Sequence, residues 1–178
     1  MAIKEIVQNG DPLLRQKATP IAPNEFGSAE LTTLIADMRD SLAACDDGVG
    51  LAAPQIGISK RIFIVSHKVF ITQDNQENNT IAPALVFINP TIEKLSKTSS
   101  ILEEGCLSVR GIFGHVVRAD KTRIRALDEY CKPFTYNASG LLAEIFQHEV
   151  NHLDGILYID HAHDTYTISH EEEHETDN

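Results

Sequence analysis

In Leu141-Leu142-Ala143-Glu144-Ile145-Phe146-Gln147-His148-Glu149-Val150-Asn151-His152-Leu153-Asp154, apolar residues recur at 141, 142, 145, 146, 150 and 153. That is the 3–4 spacing of one buried helical face. The spacing predicts a helix that starts after Asn137 or Ser139 and ends near Asp154. Gly155 stands where a C-terminal cap glycine is expected. Inside this helix lies His148-Glu149-Val150-Asn151-His152. Positions i and i+4 share a face one turn apart, so two imidazoles can take adjacent corners of one metal ion. Glu149 projects beside them, within reach of a water proton.

A catalytic metal needs a third protein ligand. The long metalloprotease pattern H-E-x-x-H-x-x-G-x-x-H keeps its glycine as Gly155, but its last position is Tyr158; His161 and His163 fall too late. A distant glutamate, as in a simple zincin, fits the spacing as well. Cys106 is the better candidate. It lies in Glu103-Glu104-Gly105-Cys106-Leu107-Ser108, among small and polar residues, whereas Cys45 sits on an apolar stripe and Cys131 in a turn. One thiolate and two imidazoles leave a tetrahedral corner open. That mixed S/N set suits Fe(II), Zn(II), Co(II) or Ni(II), not Mg or Ca.

Working outward, a first helix runs from about Ser28 to Cys45, with Leu31, Leu34, Ile35, Met38 and Leu42 on one face. The loop Gly48-Val49-Gly50-Leu51-Ala52-Ala53-Pro54-Gln55 follows it. It formally matches G-x-G-x-x-A, but a dinucleotide fingerprint follows a strand and opens a helix, and this one does the reverse. Its bare backbone suits close approach, and Gln55 offers a neutral amide donor of the kind an oxyanion hole uses. Short strands are expected at 61–66, at 85–89 and 91–95 broken by Pro90, at 115–118 and at 122–128, with a hairpin turn at 129–133. Residues 72–80 read as a polar surface loop. Strands between two dissimilar helices predict an α+β fold, with mostly antiparallel sheets packed around a central HExxH-bearing helix.

The formal charge of −11 is uneven: all 15 basic residues but only 19 of the 26 acids lie in residues 1–159, leaving −4 there. DNA binding is disfavoured because phosphate recognition needs a basic face. No stretch approaches the about 18 apolar residues of a membrane span, and the first residues carry no signal-peptide pattern. Three scattered cysteines make no disulfide framework and fit a reducing cytoplasm. The expected layout is one catalytic metallohydrolase domain over 1–160 and a mobile, acidic, His-rich tail over 161–178.

Three blocks stand in order: GVGLAAPQ (48–55), EGCLS (104–108) and QHEVNH (147–152). Together they closely resemble peptide deformylase, the family that removes the N-formyl group from nascent polypeptides. The likeness spans about residues 2–160 and includes the opening Ile3–Gln16, Ile124–Asp128 and Ala138–Leu141. The resemblance implies that Cys106, His148 and His152 hold one divalent metal, Fe(II) in the cell. It implies that Glu149 is general base and then general acid. It also implies that the Gln55 side chain and the Leu107 backbone N–H hold the oxyanion. The peptide is expected to lie extended near Gly50 and Gly105, with its first side chain among Val49, Leu102, Leu141, Ile145 and the His148 ring. Glu104 and Arg118 match a family pair that braces the cysteine loop. The implied partners are N-formylmethionyl nascent peptides and, transiently, the ribosome, in a bacterial-type cytoplasm. Arg110 stands where a proline is usual, Asn151 where Asp is frequent and little effect is expected, and the acidic tail departs from a basic ribosome-docking helix. Two rivals remain. One is an HExxH endopeptidase of another type, for which Cys106 would be dispensable. The other is a non-catalytic metal-binding module, which would have lost Glu149 or Gln55.

Overall fold

Ile62–Val65 (β2) is buried on both faces. Successive side chains of a strand point to opposite sides. Ile62 and Ile64 therefore pack with Leu31, Ile35, Met38 and Leu42 of Ala29–Ala43 (α1). Phe63 and Val65 pack on the other side with Ile145, Phe146, Val150 and Leu153 of Leu141–Leu153 (α2). Phe63 stacks on Phe87 at 4.6 Å, and Phe87 meets Phe146 edge-on at 4.9 Å. A four-residue apolar run without alternation is thus the centre of the molecule, with a helix on each side.

The computed structural model describes residues 2–70 and 84–167. Within them two antiparallel sheets form. The first has five strands in the order β1 (Gly50–Ala52), β2, β3 (Leu85–Leu95), β6 (Lys121–Leu127), β7 (Pro133–Ser139). The second has three, in the order β4 (Ser99–Cys106), β5 (Val109–Ala119), β8 (Thr165–Thr167). The α+β, mostly antiparallel expectation holds. No helix among the described residues is long and apolar enough to cross a membrane.

The pattern-based boundaries differ in several places: the strand expected at 115–118 runs from Val109 to Ala119, and Gly50–Ala52 and Ser99–Cys106 are further strands. Residues 85–95 form one strand, not two: a register shift between Ile88 and Thr91, with Asn89 at φ 50°, absorbs Pro90 as a bulge. Residues 133–139 hold a strand up to the helix, because Phe134, Tyr136 and Ala138 alternate inward with period two. The chain also stays ordered past residue 160. Thr165–Thr167 pairs with Ile112–Gly114, so the expected boundary at 160/161 lies too early. The sequence hides this strand because it is short, polar and gains its stability from β5, not from apolar periodicity. Residues 168–178, and the expected loop at 72–80, lie outside the described residues.

The C-terminal end of α2 is fixed from outside. Arg61 donates to the Leu153 carbonyl and the Asp154 carboxylate, and also to the Pro90 carbonyl, tying the helix C-terminus to β3. Gly155, at φ 77°, lies against the Arg15 backbone, where an added Cβ would come within 2.7 Å. The N-terminal arm then runs past two loops. The Val7 N–H donates to the Gln55 carbonyl at 2.8 Å, and the Asn9 N–H to the Ser108 carbonyl at 2.7 Å. The arm therefore stitches the glycine loop to the cysteine loop.

Candidate metal centre

α2 supplies His148 and His152 one turn apart, and the end of β4 supplies Cys106. Their ligand atoms lie within 4.8 Å of one another. Cys106 Sγ is 3.2 Å from His152 Nε2, which is 3.2 Å from His148 Nε2. A tetrahedral ion with bonds of about 2.0–2.3 Å spaces such atoms about 3.3–3.6 Å apart, so the cluster needs only slight expansion to hold one. The ring tautomer agrees. His148 Nδ1 gives its proton to Glu104 Oε2 at 2.8 Å, which in the neutral ring leaves a lone pair on Nε2 facing the cluster. Burial, with the charges of His148 and Arg118, pulls His152 well below the usual histidine range and keeps it neutral, as ligation requires. His148 behaves oppositely: burial lowers it, but Cys106 and Glu104 outweigh burial and raise it well above that range. The cluster thus attracts positive charge. The residues fit a divalent ion.

Glu104 anchors this arrangement. Burial pushes its carboxyl up, but Arg118 and His148 outweigh burial and hold it at about 2. Arg118 donates from Nε to Glu104 Oε1 at 2.5 Å and from a second nitrogen to Oε2 at 2.9 Å. The remaining guanidinium nitrogen donates to Asn151 Oδ1 at 2.6 Å. Asn151 turns away from the ligands, as expected from its place on the helix, and its side-chain oxygen completes the brace.

Glu149 is buried, and its Oε2 has no hydrogen-bond partner. Burial pushes its carboxyl up to about 7, against the charge of His148. Its other oxygen lies against Gly50, where an added Cβ would sit 2.4 Å away. The close approach that the glycine loop permits is therefore made by this carboxylate. The amide of Gln55 is oriented. Its oxygen accepts the Ala52 N–H at 2.8 Å, so its nitrogen faces Ser108 Oγ at 3.2 Å and Cys106 Sγ at 3.5 Å.

These groups open into one cavity of about 600 Å³. Val49, Gly50, Gln55, Gly105, Cys106, Leu107, Leu141, Ile145, His148 and Glu149 all line it. His152 is buried beside Cys106 and is not part of the lining. Leu102 does not line it either: it shares its strand face with Glu104, whose carboxylate turns to Arg118 and His148. Arg110, which stands where a proline is usual, lines the cavity, as do Glu144 and Phe113, which escaped the sequence reading. Glu144 was signalled by its place four residues before His148, on the same helix face. Burial, reinforced by Glu104, pushes its carboxyl up to about 7.

The comparisons agree with this architecture. The profile of the family described as polypeptide deformylase matches residues 3–167. The peptide deformylase of Thermomicrobium roseum is 40% identical, over 99% of this chain and 96% of its own. That of a Picosynechococcus species is 39% identical, over 90% of this chain and 79% of its own. The structure of a class I type b peptide deformylase from Acinetobacter baumannii bound to Met-Ala-Ser superimposes with a TM-score of 0.79. It is 33% identical, and the match covers 90% of this chain and 98% of that one. A profile that runs from the N-terminal arm through β8, and relatives aligned over nearly their whole length, match the fold and not one motif alone. The chain belongs to the polypeptide deformylase family.

Proposed function

We propose that the chain releases formate from N-formylmethionyl nascent polypeptides by hydrolysis, using one divalent metal held by Cys106, His148 and His152. The observation that carries this reading is the buried Glu149 carboxylate, whose Oε2 has no hydrogen-bond partner, at the cavity that Cys106 and His148 line, with His152 in reach of both. When bound, the ion supplies Lewis acidity and lowers the pKa of a water molecule. Glu149 takes the proton of the attacking water and later delivers it to the leaving amine. Its unpartnered oxygen is free to accept that proton, and burial suits it to exchange protons near neutral pH. Gln55, with its amide nitrogen turned inward, and the Leu107 backbone N–H hold the developing oxyanion. The peptide lies along Gly50 and Gly105, two backbone edges facing one cavity. Val49, Leu141 and Ile145 receive its first side chain; Leu102 bears on that pocket only from outside the lining.

Fe(II) is the cellular ion, and Zn(II), Ni(II) or Co(II) can replace it. The setting is the cytoplasm, with transient access to ribosomes and no DNA or membrane partner. The catalytic unit takes in at least the residues that the family profile matches, 3–167. The test is anaerobic formate release from a formyl-Met tripeptide, with metal analysis of the same sample. Stoichiometric metal and formate release are expected. Cleavage of unformylated peptides without formate would overturn the reading in favour of an endopeptidase.

A further inference from the structure

Gly105 and Phe113 are directly opposed across β4 and β5. The Phe113 ring lies so close to Gly105 that an added Cβ there would meet its Cε1 at 2.8 Å. Both residues line the cavity, and Cys106 follows Gly105. An aromatic ring covering a cross-strand glycine restores the packing that the glycine gives up. Phe113 is itself held from the other side. Tyr166 on β8 pairs with it, the two rings nearly parallel with centroids 6.1 Å apart. The Tyr166 hydroxyl reaches over β5 and donates to the Glu103 carboxylate on β4. One side chain thus straps all three strands together on the face that carries Phe113.

β8 is seated by more than this ring. The His115 ring meets the Asp164 carboxylate at 2.9 Å, the His163 N–H donates to the His115 carbonyl at 2.9 Å, and the His115 N–H to the Asp164 carbonyl at 3.3 Å. Gly114 leaves room for it, since a Cβ there would fall 2.7 Å from the Asp164 carbonyl oxygen. None of these groups belongs to the metal cluster.

We infer that Tyr166 is a positioning residue for the peptide: through Phe113 and Glu103 it fixes the β4 edge at Gly105 that binds substrate residues beyond the first. This rests on the proposed binding of the peptide along Gly105. Tyr166 touches neither metal ligands nor Glu149, so its loss alters binding and not the chemical step.

The test compares Tyr166→Ala, Tyr166→Phe, Glu103→Ala, a chain ending at His163 and a chain ending at Thr167. Substrates are formyl-Met-Ala-Ser and formyl-methionine amide. Calorimetry measures the Kd of the product peptide Met-Ala-Ser. An aromatic contact of ordinary strength predicts that Tyr166→Ala and the His163 truncation raise the tripeptide KM and the product Kd roughly three- to tenfold. kcat should hold within about twofold, as expected when only binding is lost. Formyl-methionine amide should be turned over as by the wild type. Tyr166→Phe and Glu103→Ala keep the ring contact, lose the tether and fall in between; the chain ending at Thr167 matches the wild type. If Tyr166→Ala does not fold, Tyr166→Phe and Glu103→Ala carry the test. Unchanged KM and Kd in the variants, or a fall in kcat at constant KM, would overturn the inference. A wild type that releases no formate from either substrate counts against the proposed activity instead, and the product-peptide Kd still reads the role of Tyr166.

Discussion

Gly50 and Glu149 are matched to each other: the carboxylate occupies the space that any other residue at position 50 would fill with its Cβ, 2.4 Å from Oε1. Gly50→Ala must therefore displace Glu149 while leaving Cys106, His148 and His152 in place. Metal content is expected to stay stoichiometric and formate release to fall by about 10²–10⁴, the range for losing a general acid–base. Glu149→Ala should do the same. If Gly50→Ala retains full turnover, Glu149 is not the base.

Arg118→Met leaves the Glu104 carboxylate buried without its main partner. The cost should be about 3–5 kcal/mol of folding stability, measured by urea titration. Asn151→Ala removes only one arm of the brace and should cost about 1–2 kcal/mol. Glu104→Gln frees the His148 ring and should weaken metal affinity roughly 10–100-fold in a chelator competition.

Cys106 faces the cavity and is one of the three proposed ligands. Fe(II)-loaded protein is expected to lose activity in air faster than Ni(II)-loaded protein, with oxygen added to the peptide bearing Cys106 in mass spectra. Cys106→Ala should lose the metal. Full metal occupancy in that variant would remove Cys106 from the ligand set.

Asp160 ties the segment after α2 to the N-terminal arm. Burial raises its carboxyl, but Arg15 at 2.5 Å and the Leu157 N–H outweigh burial and hold it below the usual carboxylate range. A depressed folded pKa adds stability above the unfolded value of about 4, and that stability is lost as pH falls through the folded value. Asp160→Asn should lower the melting temperature near neutrality and flatten its acid-side decline. Parallel acid profiles of variant and wild type would refute the linkage.

The clustering of Cys106, His148 and His152 was legible because a helix converts a spacing of four into a shared face, and because Cys106 sat in a block too polar for a structural thiol. α1 was legible for the same periodic reason, with the Ser28 hydroxyl accepting the Leu31 N–H as its cap. What escaped was what depends on partners far away in sequence. Nothing local in Asn151 points to Arg118, 33 residues away. Tyr166 gains its place from Phe113 on another strand, and a three-residue polar strand has no period to read. Leu102 lies on the strand face of Glu104, outside the cavity lining, and a motif match carries no information about faces.

The bonds from Val7 to Gln55 and from Asn9 to Ser108 join the earliest part of the chain to loops translated later, and α2 brings the last two ligands later still. The centre therefore has no partial form during synthesis. Both docking loops precede α2 in the chain, so while α2 is still being made Cys106 stands without the imidazoles that would share an ion with it. An ion shared by all three groups can therefore bind only after α2 has been made and has packed against the end of β4.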